Sequence, residues 1–128
     1  MHKIRLDHEL SLATERWGWK YHHIGIPTSE VKSGEEYLSR FGLYVSGFST
    51  SPFGIEWMRF EESSSIHPLI KKVPHICFEV QDIEYELSRH NFNVISAPNP
   101  TSDNNNIRAA MIEHNGAPIE LIEFRIKG

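Results

Sequence analysis

The chain has a single cysteine, Cys77, among its 128 residues, so no disulfide can close within it. Structural disulfides belong to oxidising compartments, and their exclusion fits a reducing cytoplasm. Long apolar runs are missing as well. None approaches the roughly 20 residues that a membrane-spanning helix needs, and the first residues lack the apolar centre of a secretion signal. Basic clusters are absent beyond Lys71-Lys72, and the formal net charge is −4, a poor match to a nucleic acid. What remains is the expectation of a soluble, cytoplasmic protein with neither nucleic-acid nor membrane partners, long enough to bury one core.

What the chain does have is an internal echo. His23-Ile24-Gly25-Ile26 is matched by His75-Ile76-Cys77-Phe78, and Ile55-Glu56-Trp57-Met58-Arg59-Phe60 by Ile119-Glu120-Leu121-Ile122-Glu123-Phe124. Each half reads as a strand that begins with His, then a helix, then strands ending in one that carries Glu. A duplicated module with one His and one Glu per copy can bring four ligands to a pseudo-symmetric centre. The order His23, Glu56, His75, Glu120 therefore makes a metal site the leading functional expectation.

The pass along the chain supports a repeat of roughly βαβββ units. Residues 1–20 have no counterpart in it and are expected to pack on the domain as an extension. A strand at residues 21–26 stops at Pro27. Ser33-Gly34-Glu35-Glu36 has the spacing of a capping box, and Tyr37, Leu38 and Phe41 offer an apolar face for a short helix ending at Gly42. Strands are expected at 43–49 and 54–60, then a polar connector over 61–73 containing His67-Pro68. The second unit runs through a strand at 75–80, a helix capped by Asp82 with Ile83 and Leu87 one turn apart, and a strand near 93–96. A Pro/Ser/Asp/Asn-rich loop over 99–106 follows, suited to a mobile rim. Strands at 107–113 and 118–124, joined by Asn115-Gly116, close the unit. The His-to-Glu spacing is shorter in the first unit, which implies a missing strand or compressed loops there. One domain of two modules, about 21–62 and 73–128, is expected.

Strand alternation gives the repeat physical content. His75, Cys77 and Glu79 share one face, and Ile76, Phe78 and Val80 the other, which should be buried against a helix. His23 and Gly25 likewise oppose Ile24 and Ile26, and His22 falls on the isoleucine face. Glu56 shares a face with Met58 and Phe60, and Glu120 with Ile122 and Phe124. A carboxylate on an apolar face needs a partner, whether a cation, a salt bridge or exposure at a strand end. Cys77 between His75 and Glu79 reads as a small buried filler rather than a soft ligand. Arg59 and Arg108 are candidates for holding a substrate carboxylate by paired hydrogen bonds, and Trp57 and Tyr44 for walling a pocket. Each of these is also a common structural residue.

His23-Ile24-Gly25-Ile26, Val73-Pro74-His75-Ile76-Cys77-Phe78-Glu79-Val80 and Asn115-Gly116-Ala117-Pro118-Ile119-Glu120-Leu121 together resemble the vicinal oxygen chelate superfamily, the glyoxalase/bleomycin-resistance/dioxygenase group, over residues 21–124. The resemblance implies an α+β fold in which two βαβββ modules form an open, curved mixed sheet around a metal, here with a short N-terminal extension. It places metal ligands on His23, His75 and Glu120, and on Glu56 where the shortened first module departs most from the pattern. It also implies a divalent cofactor (zinc, nickel, manganese, cobalt or iron(II)) and a homodimer.

A centre of two His and two Glu implies Lewis-acid catalysis, with coordination positions open to two vicinal substrate oxygens. Glu56 or Glu120 would then move the adjacent proton, as in an isomerase, epimerase or lyase. Two further readings stand beside it. In one, His23, His75 and Glu120 alone bind iron(II) for a ring-cleaving dioxygenase. In the other, the chain is a metal-free protein that sequesters a small molecule, as resistance proteins do.

Overall fold

The structure, a computed structural model, describes residues 3–101 and 106–125. Its strands are β1 (Lys20–Pro27), β2 (Glu36–Leu38), β3 (Leu43–Ser46), β4 (Ile55–Phe60), β5 (His75–Glu79), β6 (Asn93–Pro100), β7 (Ile107–His114) and β8 (Ala117–Phe124). Its helices are α1 (Ala13–Arg16), α2 (Pro68–Lys72) and α3 (Ile83–Arg89), with a single 3₁₀ turn at Phe48–Thr50. The strands form one sheet of order β2-β3-β4-β1-β5-β8-β7-β6.

The order is symmetric about its middle. β1 runs parallel to β4 and β5 parallel to β8, while β1 and β5 meet antiparallel at the centre. Gly25 lies opposite Glu56, and Cys77 opposite Glu120. Each of those register pairs sits two residues beyond its histidine. Across the central pair His23 faces Cys77, Gly25 faces His75, and Ile24 faces Ile76. The repeated sequence is therefore a spatial repeat, with a pseudo-twofold axis through the Ile24–Ile76 pair.

The two halves differ where the sequence reading placed a first helix. No helix forms over Ser33–Gly42. The chain turns at Gly34, whose φ of +75° lies in the left-handed region, and then enters β2. There Tyr37 pairs with Tyr44 of β3, their ring centroids 4.7 Å apart. Glu35 is drawn into a bidentate pair with Arg59, at 2.9 and 2.7 Å, that ties this segment to β4. The first module thus keeps its four strands and lacks its helix, so the missing element is not a strand. Conversely, the connector over 61–73 contains α2. His67 caps it by accepting the Leu69 N–H at 3.1 Å, and Pro68 occupies the first turn, where its missing N–H costs nothing.

The second half follows local sequence rules. Asp82 Oδ1 accepts the Tyr85 N–H at 3.1 Å and starts α3. Asn115 and Gly116 both have positive φ, 50° and 85°, as the two-residue turn between β7 and β8 requires. β6 extends through Asn99 and Pro100, the first residues of the expected rim, while residues 102–105 of that loop lie outside the described residues.

One face of the sheet packs on α3 through Trp19, Val80, Ile83, Ala110 and Leu121, with Phe78 against them. The end of the N-terminal segment joins this core. Trp19 Nε1 donates to Glu86 Oε1 at 2.9 Å, and Trp17 lies 4.9 Å from Trp19. Ile4, Leu6 and Leu10 earlier in that segment remain exposed. On the other face Leu43, Met58, Ile70 and Met111 cluster. Leu38 of β2 and Ile107 of β7 line the same cavity, and Arg40 donates to Asn99 at 3.3 Å. The sheet is therefore curled, its concave side enclosing the cavity. Among the described residues no helix is long and apolar enough to cross a membrane.

Candidate metal centre

Three neighbouring strands, the central pair β1 and β5 and the flanking β8, project His23, His75 and Glu120 into a cavity of about 470 Å³. His75 Nε2 lies 3.0 Å from Glu120 Oε1, His23 Nε2 lies 3.2 Å from the same oxygen, and the two Nε2 atoms are 3.4 Å apart. Donors held about 2.0–2.2 Å from a single cation, at angles between octahedral and tetrahedral, lie roughly 2.8–3.6 Å from one another. All three separations have that size, so the donor set fits a divalent cation in both chemistry and spacing. The Glu56 carboxylate stands further off, 3.8 Å from His23 Nε2.

The backbone explains why both rings reach the centre. Gly25 pairs with His75, and a Cβ on Gly25 would stand 2.2 Å from His75 Cε1. The His75 ring thus occupies the space that a side chain at residue 25 would take. Its Nδ1 is buried without a hydrogen-bond partner. In β1, Tyr21 pairs with Phe78 and His23 with Cys77, leaving His22 as the extra residue of a β-bulge. The bulge defeats the alternation expected from sequence. His22 does not join Ile24 and Ile26. It lines the cavity beside His23, its Nδ1 2.7 Å from His23 Nδ1 and its ring stacked on Phe48 at 5.0 Å.

The charges at the centre are strongly coupled. Burial alone would push the Glu120 carboxyl up, but hydrogen bonding and attraction from His23 and His75 hold it well below the usual carboxylate range. Burial would lower His23, yet the bond to Glu120 and the charges of Glu120 and Glu56 lift it above the ordinary imidazole value. Burial raises Glu56, reinforced by Glu120 and partly offset by His23. Burial, together with repulsion from His23, lowers His22. Cys77 is fully buried, and burial with Glu120 beside it pushes the thiol far up, so the group is a neutral filler.

The residues expected to hold substrate lie elsewhere. Glu56, Met58 and Phe60 of β4 face the cavity, so Trp57 and Arg59 face away from it. Arg59 pairs with Glu35 and lies 4.1 Å over the Tyr44 ring, while Lys32 covers Trp57 at 4.5 Å. Arg108 reaches Glu84 in the first turn of α3 at 2.6 Å and Glu123 at 3.8 Å. None of Trp57, Arg59, Arg108 and Tyr44 lines the cavity. For β4 the alternation that turns Glu56 inward already turns its neighbours outward. His22 and Phe48 were missed because neither the bulge nor the 3₁₀ turn has a local sequence signature.

No protein-family model matches the sequence, and no curated protein matches it significantly. Solved structures do resemble it. The hypothetical protein BH1468 from Bacillus halodurans C-125 superposes with a TM-score of 0.65 at 22% identity, over 86% of this chain and 97% of that one. A methylmalonyl-CoA epimerase from Mycobacterium tuberculosis superposes with a TM-score of 0.56 at 20% identity, over 81% of this chain and 87% of that one. At these identities the likeness is one of fold.

Proposed function

We propose that this chain, which has the fold of the vicinal oxygen chelate superfamily, is a metal-dependent enzyme of isomerase, epimerase or lyase type acting on a small oxygenated metabolite. The observation that carries this reading is the spacing of His23 Nε2, His75 Nε2 and Glu120 Oε1, each within coordination distance of a common point. The epimerase neighbour is consistent with it.

His23, His75 and Glu120 would hold a divalent cation, which when bound would supply Lewis acidity to the substrate's oxygens. Glu120, kept anionic between two imidazoles, is the charged anchor of the set. Glu56 takes the other role. It stands further from the histidines than Glu120 does, and burial raises it above the ordinary carboxylate value, which suits a group that both takes and returns a proton. We therefore assign Glu56 as the group that takes the proton beside the substrate carbonyl and returns it. A second reading rests on the same distances: two imidazoles and one carboxylate close together, with Glu56 outside, are also the ligand set of an iron(II) oxygenase.

Protein purified without tag or chelator, then reloaded with candidate ions, should carry about one equivalent of metal per chain. Loading at limiting metal should weaken as pH falls, and the loss should begin above 6.5, because His23 keeps its proton to a higher pH than a free imidazole does. Elemental analysis and titration across pH check both points. No metal under any loading condition, or binding indifferent to pH, would sink the reading. Oxygen consumption with a catechol would instead favour the oxygenase.

A further inference from the structure

We infer that the substrate presents its adjacent oxygens on an apolar body that carries no charge of its own. This rests on the metal-dependent reading above and adds the chemical class of the ligand. Away from the donor cluster the cavity is walled by Leu43, Met58, Phe60, Ile70, Met111 and Phe124, among other apolar side chains. Beyond the three donors together with Glu56 and His22, the polar side chains that line it are Ser96, Asn99 and Thr101, and Asn99 already accepts from Arg40. Among the described residues no lysine or arginine lines it, and the two arginines that sequence suggested for anion binding are paired with Glu35 and Glu84 on other surfaces. A carboxylate or phosphate on the ligand's tail would therefore be desolvated with no lysine or arginine of the described lining to meet it, and Arg40 at the adjoining edge is already engaged with Asn99. The volume of about 470 Å³ lies within the range of cavities that bury organic ligands. One end of the cavity offers a centre for two oxygens, and the rest rewards hydrocarbon.

Alkyl hydroxamates reproduce that pairing of vicinal oxygens with an apolar body. Calorimetry on zinc-loaded protein would compare acetohydroxamate, butanohydroxamate and octanohydroxamate, with octanamide and suberic monohydroxamate as controls. Affinity should rise roughly threefold to fourfold per methylene, and the acid-ended chain should bind far more weakly than octanohydroxamate. A flat dependence on chain length, or equal affinity for the acid-ended chain, overturns the apolar-body inference and leaves the metal reading intact. Octanamide binding as tightly as octanohydroxamate does the reverse.

A second, independent inference concerns His22, which the geometry marks as a positioning residue for His23. At 2.7 Å, one of the two Nδ1 atoms must carry a proton toward the other. For His23 Nε2 to offer its lone pair to a cation, its Nδ1 must be the protonated atom, and His22 Nδ1 is then the acceptor. The bulge brings His22 into reach, and stacking on Phe48 holds the ring in place. Partners of this kind fix a ligand's tautomer, and their loss typically costs 10–100-fold in metal affinity.

Two variants separate hydrogen bonding from packing. His22→Phe keeps the stacking ring and removes the acceptor, so zinc affinity should fall by roughly 10–100-fold. His22→Asn places an amide oxygen near the lost Nδ1 and should restore most of it. In nitrogen-resolved NMR of the zinc-loaded protein, His23 should be protonated at Nδ1. Unchanged affinity in His22→Phe overturns the assignment, as would an Asn variant that folds yet binds no better than the Phe variant, or a His23 protonated elsewhere.

Discussion

Zinc affinity is expected to fall by more than a hundredfold when His75 is replaced by alanine, with the fold retained. Changes to groups that merely orient a ligand cost about 10–100-fold, and removing a donor should exceed that. His75 is the buried donor nearest Glu120, at 3.0 Å, and its removal leaves one imidazole beside one close carboxylate. Glu120→Gln should do comparable damage for a different reason. The amide keeps the shape of the side chain but removes the charge that both imidazoles face. Glu56→Gln should behave differently, retaining much of the bound metal while abolishing proton transfer. Metal content and competition titrations on the three variants check the ranking. Were His75→Ala and Glu120→Gln both to bind zinc like the native chain, no shared centre would exist. Were Glu56→Gln to lose as much metal as those two, Glu56 would be a full ligand and its assignment as the proton-moving group would need revision.

Gly25→Ala should bring the closest clash of any glycine-to-alanine change among the described residues. The added Cβ would lie 2.2 Å from His75 Cε1 and 2.7 Å from each ring nitrogen, separations that no packing tolerates. Either the His75 ring swings out of the centre or β1 and β5 separate. Overpacking of this sort costs about 1–3 kcal/mol of stability, and the displaced ring should carry metal affinity down with it. Urea denaturation paired with zinc titration reads both effects. The pseudo-equivalent position in the other half is Cys77, which bears a side chain opposite His23 where β1 bulges. A Gly25→Ala protein with native stability and native zinc affinity would show that the close approach of ring and backbone is not needed.

The duplication, the placement of one His and one Glu per half, and most of the second module were legible in the residues. Asp82 starting α3 and Asn115-Gly116 turning between β7 and β8 are short-range signals, decided by side chains within a few positions of the backbone they serve. Ser33 to Glu36 had the spacing of a helix start as well. A capping signal contributes only about 0.5–2 kcal/mol, and here the pairing of β2 with β3 and the Glu35–Arg59 bridge prevailed. α2 was overlooked for the converse reason. His67-Pro68 punctuates a connector as readily as it opens a helix, and Ile70 is the helix residue buried to say which.

The sequence by itself determined which residues can donate to a cation and, by period-two alternation, that His23, His75, Glu56 and Glu120 point to one side of their strands. Only the tertiary structure decided which of them converge, because the distances among them depend on the register of four strands at once. A register slip of one residue would turn a donor to the opposite face. The bulge that admits His22 is likewise a property of two paired strands and not of either alone. The apolar character of the cavity was also beyond sequence, since its walls are drawn from elements scattered from Leu38 to Phe124 that become neighbours only when the sheet curls.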